Sequence, residues 1–452
     1  MKTKTSLYPA CTDSARAMEY AQKLSTMIRC DTVSYRDTVQ TEKFLAFHRV
    51  LEQLFPLLHQ HLEKTEIDGN LLYYWKGLHS DKPIVLMSHQ DVVPAEGEWI
   101  HPPFSGEIAD GKIWGRGSGD IKSGVMAFMQ AVEELLADGY TPQQDIYLCS
   151  SCTEEIGGDG APKIVAELER RGVHPWLLCD EGGGIISEPI GGVKGSFAMI
   201  GVVEKGTADV RFIARSNGGH ASSPPKNSPI ARLSAFVHEV ETHNPFKRKL
   251  MPEVAAMFKT LSGYAKGGMR FALGNLWLTK PLLLALMPTI SAEAAAMLRT
   301  TIAFTMQSGS DACNVLPQEA SVCANLRFIP HQGMEESLHI LRELAKKYDL
   351  EMEVIAASDY CPPVDIHGSG WQHVVRAIEK TFPGLAYSPY VMTGATDSRF
   401  YQGVCDHCIR FAPIVYGPEQ LKGMHGLNEN IEISCLPGAV DFYKNIICGE
   451  IQ

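Results

Sequence analysis

The sequence predicts an α/β fold in two parts: a domain built on a mainly parallel, mixed sheet flanked by helices, and an inserted α+β domain with an antiparallel sheet. Three observations carry this. Before residue 195, short apolar, β-rich runs alternate with helix-period patterns. From there to 357 the pattern changes to alternating strands with helices between them. At 452 residues the chain has room for two or three domains, each with its own core.

In chain order, Ile84–Met87, Ile146–Cys149 and Trp176–Cys179 are short, apolar and bounded by proline or polar turns, so each reads as a buried strand of a parallel sheet. Between the first two, Val125, Phe128, Met129, Val132, Leu135 and Leu136 mark one face of a helix that Gly139 can end. Ser196–Val203 and Ala208–Ser216 read as strands, followed by a helix near 228–242. Glu319–Phe328, Glu335–Lys347 and Glu351–Ile355 read as strand, helix and strand. Residues 245–310 form a Met- and Leu-rich interruption, expected to be helical. After about 358 the chain returns to the first domain and closes on a helix near 436–448. The expected division is therefore 1–194 with 358–452, and 195–357.

A net charge of −11 with 45% hydrophobic and 21% charged residues fits an ordinary globular chain and argues against nucleic acid as a partner. Apolar runs such as Pro281–Met287 fall far short of the roughly 20 residues needed to cross a bilayer, so no membrane partner is expected. The opening MKTKTSLYPA lacks an apolar signal core, which leads to an expectation of a cytoplasmic protein. The twelve cysteines read as reduced thiols. The CxxC pairs Cys149/Cys152 and Cys405/Cys408 would have to converge to form a zinc ribbon, and are read instead as buried thiols at strand ends.

The polar residues that follow the predicted strands carry the chemistry, since open α/β sheets place ligand sites at strand carboxyl ends. They are Ser88-His89-Gln90-Asp91, then Asp120, Glu154-Glu155 and Asp180-Glu181. His425, in a Gly-flanked loop before the last helix, supplies a second imidazole. Two imidazoles and three carboxylates, His89, Asp120, Glu155, Asp180 and His425, form an N/O donor set suited to zinc, with cobalt or manganese as substitutes. Three carboxylates and a hydroxide balance two divalent cations, whereas a single ion would leave the site negative. In His89-x-Asp91, strand alternation would aim both side chains one way, so that the Asp91 carboxylate fixes the His89 tautomer. Adjacent Glu154 and Glu155 cannot point the same way, so one should bind metal while the other takes a proton from water. Gly115-x-Gly117-x-Gly119 lacks dinucleotide spacing, and no nucleophile elbow is present around Ser118.

The segments SHQDVVP (88–94), GRGSGDIKSG (115–124), TEEIGG (153–158) and DEGG (180–183), with His425, resemble the M20 family of dinuclear zinc peptidases and deacylases. GNLWLTKPLLLALM (274–287), LRTTIAFT (298–305) and NVLPQEASVCANLRFIP (314–330) are most similar to its carboxypeptidase S branch, which includes Gly-X carboxypeptidases and N-acyl amino acid hydrolases. The resemblance implies one zinc on His89 and Asp180, another on Glu155 and His425, Asp120 bridging before a cis peptide bond to Ile121, and Glu154 as general base. It also implies that the inserted domain is a lid that mediates a homodimer, with His220 reaching the partner's site. Arg399, in Gly394-Ala-Thr-Asp-Ser-Arg399, and Asn314 would bind substrate, the arginine through its carboxylate.

The expected activity is hydrolysis of the amide bond next to a free C-terminal amino acid in small peptides. Two alternatives stand beside it: an N-acyl amino acid hydrolase, for which Leu276, Trp277, Leu282, Leu283 and Leu286 could line an acyl pocket or instead pack within the lid or a dimer interface, and a non-catalytic metal-dependent binding protein.

Overall fold

The computed structural model describes residues 4–36, 40–290 and 292–451; residues 1–3, 37–39, 291 and 452, which fall inside the expected domain spans, lie outside it. A ten-stranded mixed sheet forms the large domain. Its strands before the lid are β1 (Glu63–Ile67), β2 (Asn70–Trp75), β3 (His79–Met87), β4 (Gln144–Ser150), β5 (Leu177–Asp180), β6 (Gly184–Ser187) and β7 (Ser196–Glu204). The lid contributes β8 (Gly206–Arg215), β9 (Thr301–Ser308), β10 (Glu319–Phe328) and β11 (Glu351–Ser358). The chain then returns with β12 (Ala386–Met392), β13 (His407–Arg410) and β14 (Val415–Tyr416). The large sheet runs β1-β2-β4-β3-β5-β13-β7-β6-β14, with β12 also paired to β7. The central pairs β4-β3, β3-β5 and β5-β13 are parallel.

Both faces of these central strands are covered, which is why they read as unbroken apolar runs. Ile84, Leu86, Ile146, Leu148, Leu177 and Cys179 face the main core, while the alternate residues Val85, Met87, Tyr147, Cys149 and Leu178 face a second core on the other side. The main-core face carries α1 (Ser14–Ile28), α2 (Lys122–Ala137), α9 (Ser369–Thr381) and α10 (Leu436–Cys448). The opposite face carries α3 (Gly160–Arg170). Gly139 ends α2 as expected, at φ +70, a left-handed position that glycine occupies at little cost.

The lid sheet is antiparallel, ordered β9-β10-β8-β11. One face packs on α4 (Pro229–Thr242) and α8 (Gly333–Lys347) through Phe212, Phe236, Leu326 and Leu341. The other face is wet and lined with exposed pairs such as Arg211–Glu353 and Arg215–Glu319.

The expected interruption differs in extent and placement. Its helices α5 (Pro252–Ser262), α6 (Gly267–Gly274) and α7 (Leu276–Ile290), with a short helix Ala292–Ala296, end before residue 301, and 301–308 is the edge strand β9. Leu250, Val254, Met257, Phe258 and Leu261 belong to the main core, not to the lid core, and α5 lies against β12. Apolar residues at i, i+3, i+4 and i+7 need a partner surface, and here the large sheet supplies it. The two crossovers between domains run side by side: Cys361 N–H donates to the Glu204 carbonyl at 3.0 Å.

The cysteines are free thiols. Cys149, Cys405 and Cys408 pack in the second core, while Cys152 donates to the Asp68 carbonyl at 3.6 Å, so the two CxxC pairs do not form one four-thiol site.

Candidate metal centre

The site lies where the sheet's central strands end. β3 stops at Met87, and the chain after it is held irregularly: the Gln90 amide N–H donates to the Ser151 carbonyl at 2.9 Å, and the Gln90 side chain donates to the Gly69 carbonyl at 2.9 Å. Strand alternation therefore does not apply to His89 and Asp91. His89 Nδ1 donates to the backbone carbonyl of Asp91 at 2.9 Å, with the Asp91 carboxylate at 3.5 Å, so the expected carboxylate–imidazole bond is replaced mainly by a carbonyl bond. The consequence is the same: Nε2 keeps its lone pair for a ligand. The Asp91 carboxylate instead accepts the amide N–H groups of Glu154 (3.2 Å) and Glu155 (3.1 Å) and the Ser34 hydroxyl (2.7 Å). It thereby fixes the turn that carries both glutamates.

Three donor atoms converge within 4.8 Å, one each from His89, Asp120 and Glu155. Asp120 follows the GRGSG loop, and its peptide bond to Ile121 is cis, as the resemblance implied. Its Oδ1 lies 3.1 Å from His89 Nε2, and its Oδ2 lies 2.9 Å from His425 Nε2. His425 Nε2 is also 3.0 Å from Glu155 Oε2, and His425 itself sits in the left-handed region at φ +54. Asp180 stands beside this group, with Oδ1 accepting from the Glu181 amide and Oδ2 from the Ser398 amide, each at 2.8 Å. The Glu154 carboxylate makes no hydrogen bond or ion pair among the described residues and lines the adjoining cleft.

Sequence reasoning missed the residues that hold these ligands. Glu429 is buried and accepts from the amides of Gly117, Gly119 and Asp120 and from Arg116 Nη1 at 2.7 Å, so it shapes the loop that presents Asp120. Glu204 pairs with the fully buried Arg410 at 2.9 Å and accepts from the Thr396 amide at 2.9 Å. That contact sets the loop whose Ser398 amide meets Asp180. Asp397 is buried and accepts from the Ser151 hydroxyl.

The electrostatics call for cations. Burial, joined by the charge of Asp180, pushes Asp397 up to about 7, and burial pushes Asp180 up to about 6. Burial, with Asp397 and Glu155 nearby, holds Glu154 well above the usual carboxylate range, and burial with Asp120 and Asp180 does the same to Glu181. Hydrogen bonds to Asp120 and Glu155 raise His425 to about 10. Six carboxyls thus crowd two imidazoles, and Glu155 Oε1 is buried with no hydrogen-bond partner among the described residues. Buried carboxylates that are charged need paired cations, and this hard-to-borderline O/N set fits divalent ions such as zinc.

The cleft beyond these residues has a volume of about 580 Å³ and is apolar away from the carboxylates, lined by Ile186, Ile190, Met199, Met257, Met297 and Met392. Arg399 does not line this cleft and lies by the turn of the two glutamates: a Cβ placed on Gly157 would sit 3.7 Å from its Nη2. Arg327 of the lid strand β10, which the sequence analysis did not single out, is close enough to Arg399 and Glu154 for their charges to act on it. His220 and Asn314 lie together on the lid. Gly219–His220 pairs with Val315–Leu316, and the Ala221 amide donates to the Asn314 carbonyl at 2.9 Å. Both are exposed, and neither lines the cleft of its own chain. Leu276, Trp277, Leu282, Leu283 and Leu286 do not line it either.

A carboxylate–imidazole cluster at the ends of parallel strands, beside an apolar cleft, is a candidate metal centre of the kind that hydrolases use. The family model for Peptidase family M20/M25/M40 matches residues 85–448. A probable carboxypeptidase S-like 2 of Dictyostelium discoideum is 33% identical over 448 residues, 95% of this chain and 85% of that protein. The N-fatty-acyl-amino acid synthase/hydrolase PM20D1 of Xenopus tropicalis is 33% identical over 444 residues, 95% of this chain and 85% of that protein. Among solved structures, the M20 family metallo-carboxypeptidase Sso-CP2 from Sulfolobus solfataricus has the same fold, with a TM-score of 0.71 at 17% identity, covering 95% of this chain and 98% of that one. The chain belongs to peptidase family M20/M25/M40, and it is a hydrolase.

Proposed function

We propose that the protein hydrolyses N-acyl amino acids, cleaving the amide between an apolar acyl group and an amino acid that keeps its free carboxylate. The observation that carries this reading is the apolar cleft, in whose lining Met199, Met257, Met297 and Met392 join Glu154 and Glu155. Methionine-lined walls adapt to flexible chains and offer a peptide's polar backbone little. Cleavage of small peptides, the activity expected from sequence, uses the same machinery and is the second reading, favoured by the carboxypeptidase S-like relative.

His89, Asp120 and Asp180 would hold one zinc ion, and Asp120, Glu155 and His425 the other. Bound there, two divalent cations would polarise the scissile carbonyl and acidify the attacking water. Glu154, held by no partner, takes the water's proton and returns it to the leaving amine. Asp91 keeps both glutamates in place through their amides. Arg399, with Arg327 beside it, receives the carboxylate; a charge-assisted pair of this kind contributes about 1.5–3 kcal/mol. His220 and Asn314, exposed and away from their own cleft, serve the site of a second subunit in a homodimer. Mixing His220→Ala with Glu154→Gln chains should then restore activity.

The test is kcat/KM for a series of N-acyl amino acids of increasing chain length, measured beside dipeptides and C-terminal amides. Each buried methylene should add about 0.8 kcal/mol, roughly fourfold, until the cleft is full. Amidated substrates should lose tenfold or more, by about the strength of the arginine–carboxylate pair, and Arg399→Ala should erase that preference. Dipeptides cleaved better than every acyl substrate would decide for the second reading.

A further inference from the structure

Helix α7 turns an apolar face outward. Over Leu276–Ile290 its one ionisable residue is Lys280. A helix that is apolar on all sides belongs in an interior or a lipid phase, and α7 meets protein on one side only. Leu276, Leu284 and Met287 pack against the main core. On the other side Trp277 is 84% exposed, and Leu278, Leu282 and Leu286, spaced four residues apart, form an exposed stripe. Phe271 of α6, which meets α7 at 109°, continues this surface.

The surroundings carry one sign of charge. Residues 245–290 contain seven basic residues against Glu253 alone, in a chain whose net charge is −11. Lys249, Lys259, Lys266 and Lys280 are exposed. Two copies of the chain joined through this face would bring cation against cation, whereas an anionic surface complements both the apolar stripe and its lysines.

We propose that the α6–α7 corner docks on an anionic lipid bilayer, with Trp277 and Leu282 in the interfacial layer and the lysines against headgroups. Spanning length, the criterion by which the sequence argued against a membrane partner, is not needed by a helix that lies in the interface. The stretches on either side of that corner supply Met257 and Met297 to the wall of the apolar cleft. Docking is read without substrate and stands or falls separately from the proposed reaction.

The test is co-sedimentation of the metal-loaded protein with phosphatidylcholine vesicles, with and without about 30 mol% phosphatidylglycerol, at two salt concentrations. The expected result is binding that rises severalfold with the anionic lipid and falls with salt, together with a blue shift of tryptophan emission that Trp277→Phe removes. Trp277→Ala with Leu282→Asp should abolish binding and leave hydrolysis of a water-soluble short-chain substrate unchanged. Lys249→Glu with Lys280→Glu should remove the dependence on anionic lipid. Absence of binding to anionic vesicles at low salt would overturn the proposal. So would light scattering that shows the apolar double variant dissociating a dimer without lipid, because the face would then belong to a second copy of the chain.

Discussion

The carboxylate of Glu429 accepts the backbone N–H of Asp120 at 3.0 Å, joining residues 309 positions apart. Through the same oxygens it holds Gly117 and Gly119, and it pairs with Arg116 where both side chains are buried. The loop that presents Asp120 to both histidines is thus shaped from the far end of the chain.

Glu429→Gln removes the charge that balances Arg116. Breaking a buried pair on one side costs about 3–5 kcal/mol, and denaturant unfolding should show a loss of that order. Metal affinity should fall with it, because Asp120 loses its fixed position. An unchanged midpoint with full metal content would show that the loop holds itself.

Glu154 and Glu155 are adjacent in sequence and differ in their contacts. Glu154→Gln should lower turnover by roughly 10²–10⁴ while metal content stays the same. Glu155→Gln should lose metal first, since Glu155 belongs to the converging donor group. Elemental analysis beside initial rates distinguishes the two, and metal loss in the Glu154 variant would reverse their roles.

Lys205 joins the two domains between β7 and β8; it is buried, and its ammonium donates to the carbonyls of Ala296 and Arg299, each at 3.0 Å. Burial, with Arg327 and Arg299 nearby, pushes it down to about 7 from an ordinary value of 10.5. Between these values the unfolded chain binds the proton that the folded chain releases, so this group's contribution to stability rises with pH from about 7 and is lost below it. Lys205→Met should flatten the rise of melting temperature across that window. A slope identical to that of the parent would contradict this assignment.

The strand runs at 84–87, 146–149 and 176–179 were legible because burial on both faces removes charged residues from them, and the residues that follow stand out by contrast. His89, Asp120, Glu154, Glu155 and Asp180 were found that way. Glu429, Glu204 and Arg410 were not, since each acts through a partner hundreds of residues away, and no local spacing links Glu204 to Arg410. For Glu204 and Arg410 the signal was a charge at the end of an apolar strand, as in FAMIGVVE and HCIR. The orientation of the 245–300 helices was illegible for another reason: an apolar helix looks the same in sequence whether its neighbour is the lid, the large sheet or the outside.

The central claim is that this cluster works as a two-metal centre, and the most direct test is turnover of chelator-treated protein against added zinc. The expected result is negligible activity without metal, a rise that saturates at two equivalents per chain, and a rate at saturation that Asp120→Asn cannot reach. Activity that survives chelation, or that saturates at one equivalent, would contradict it.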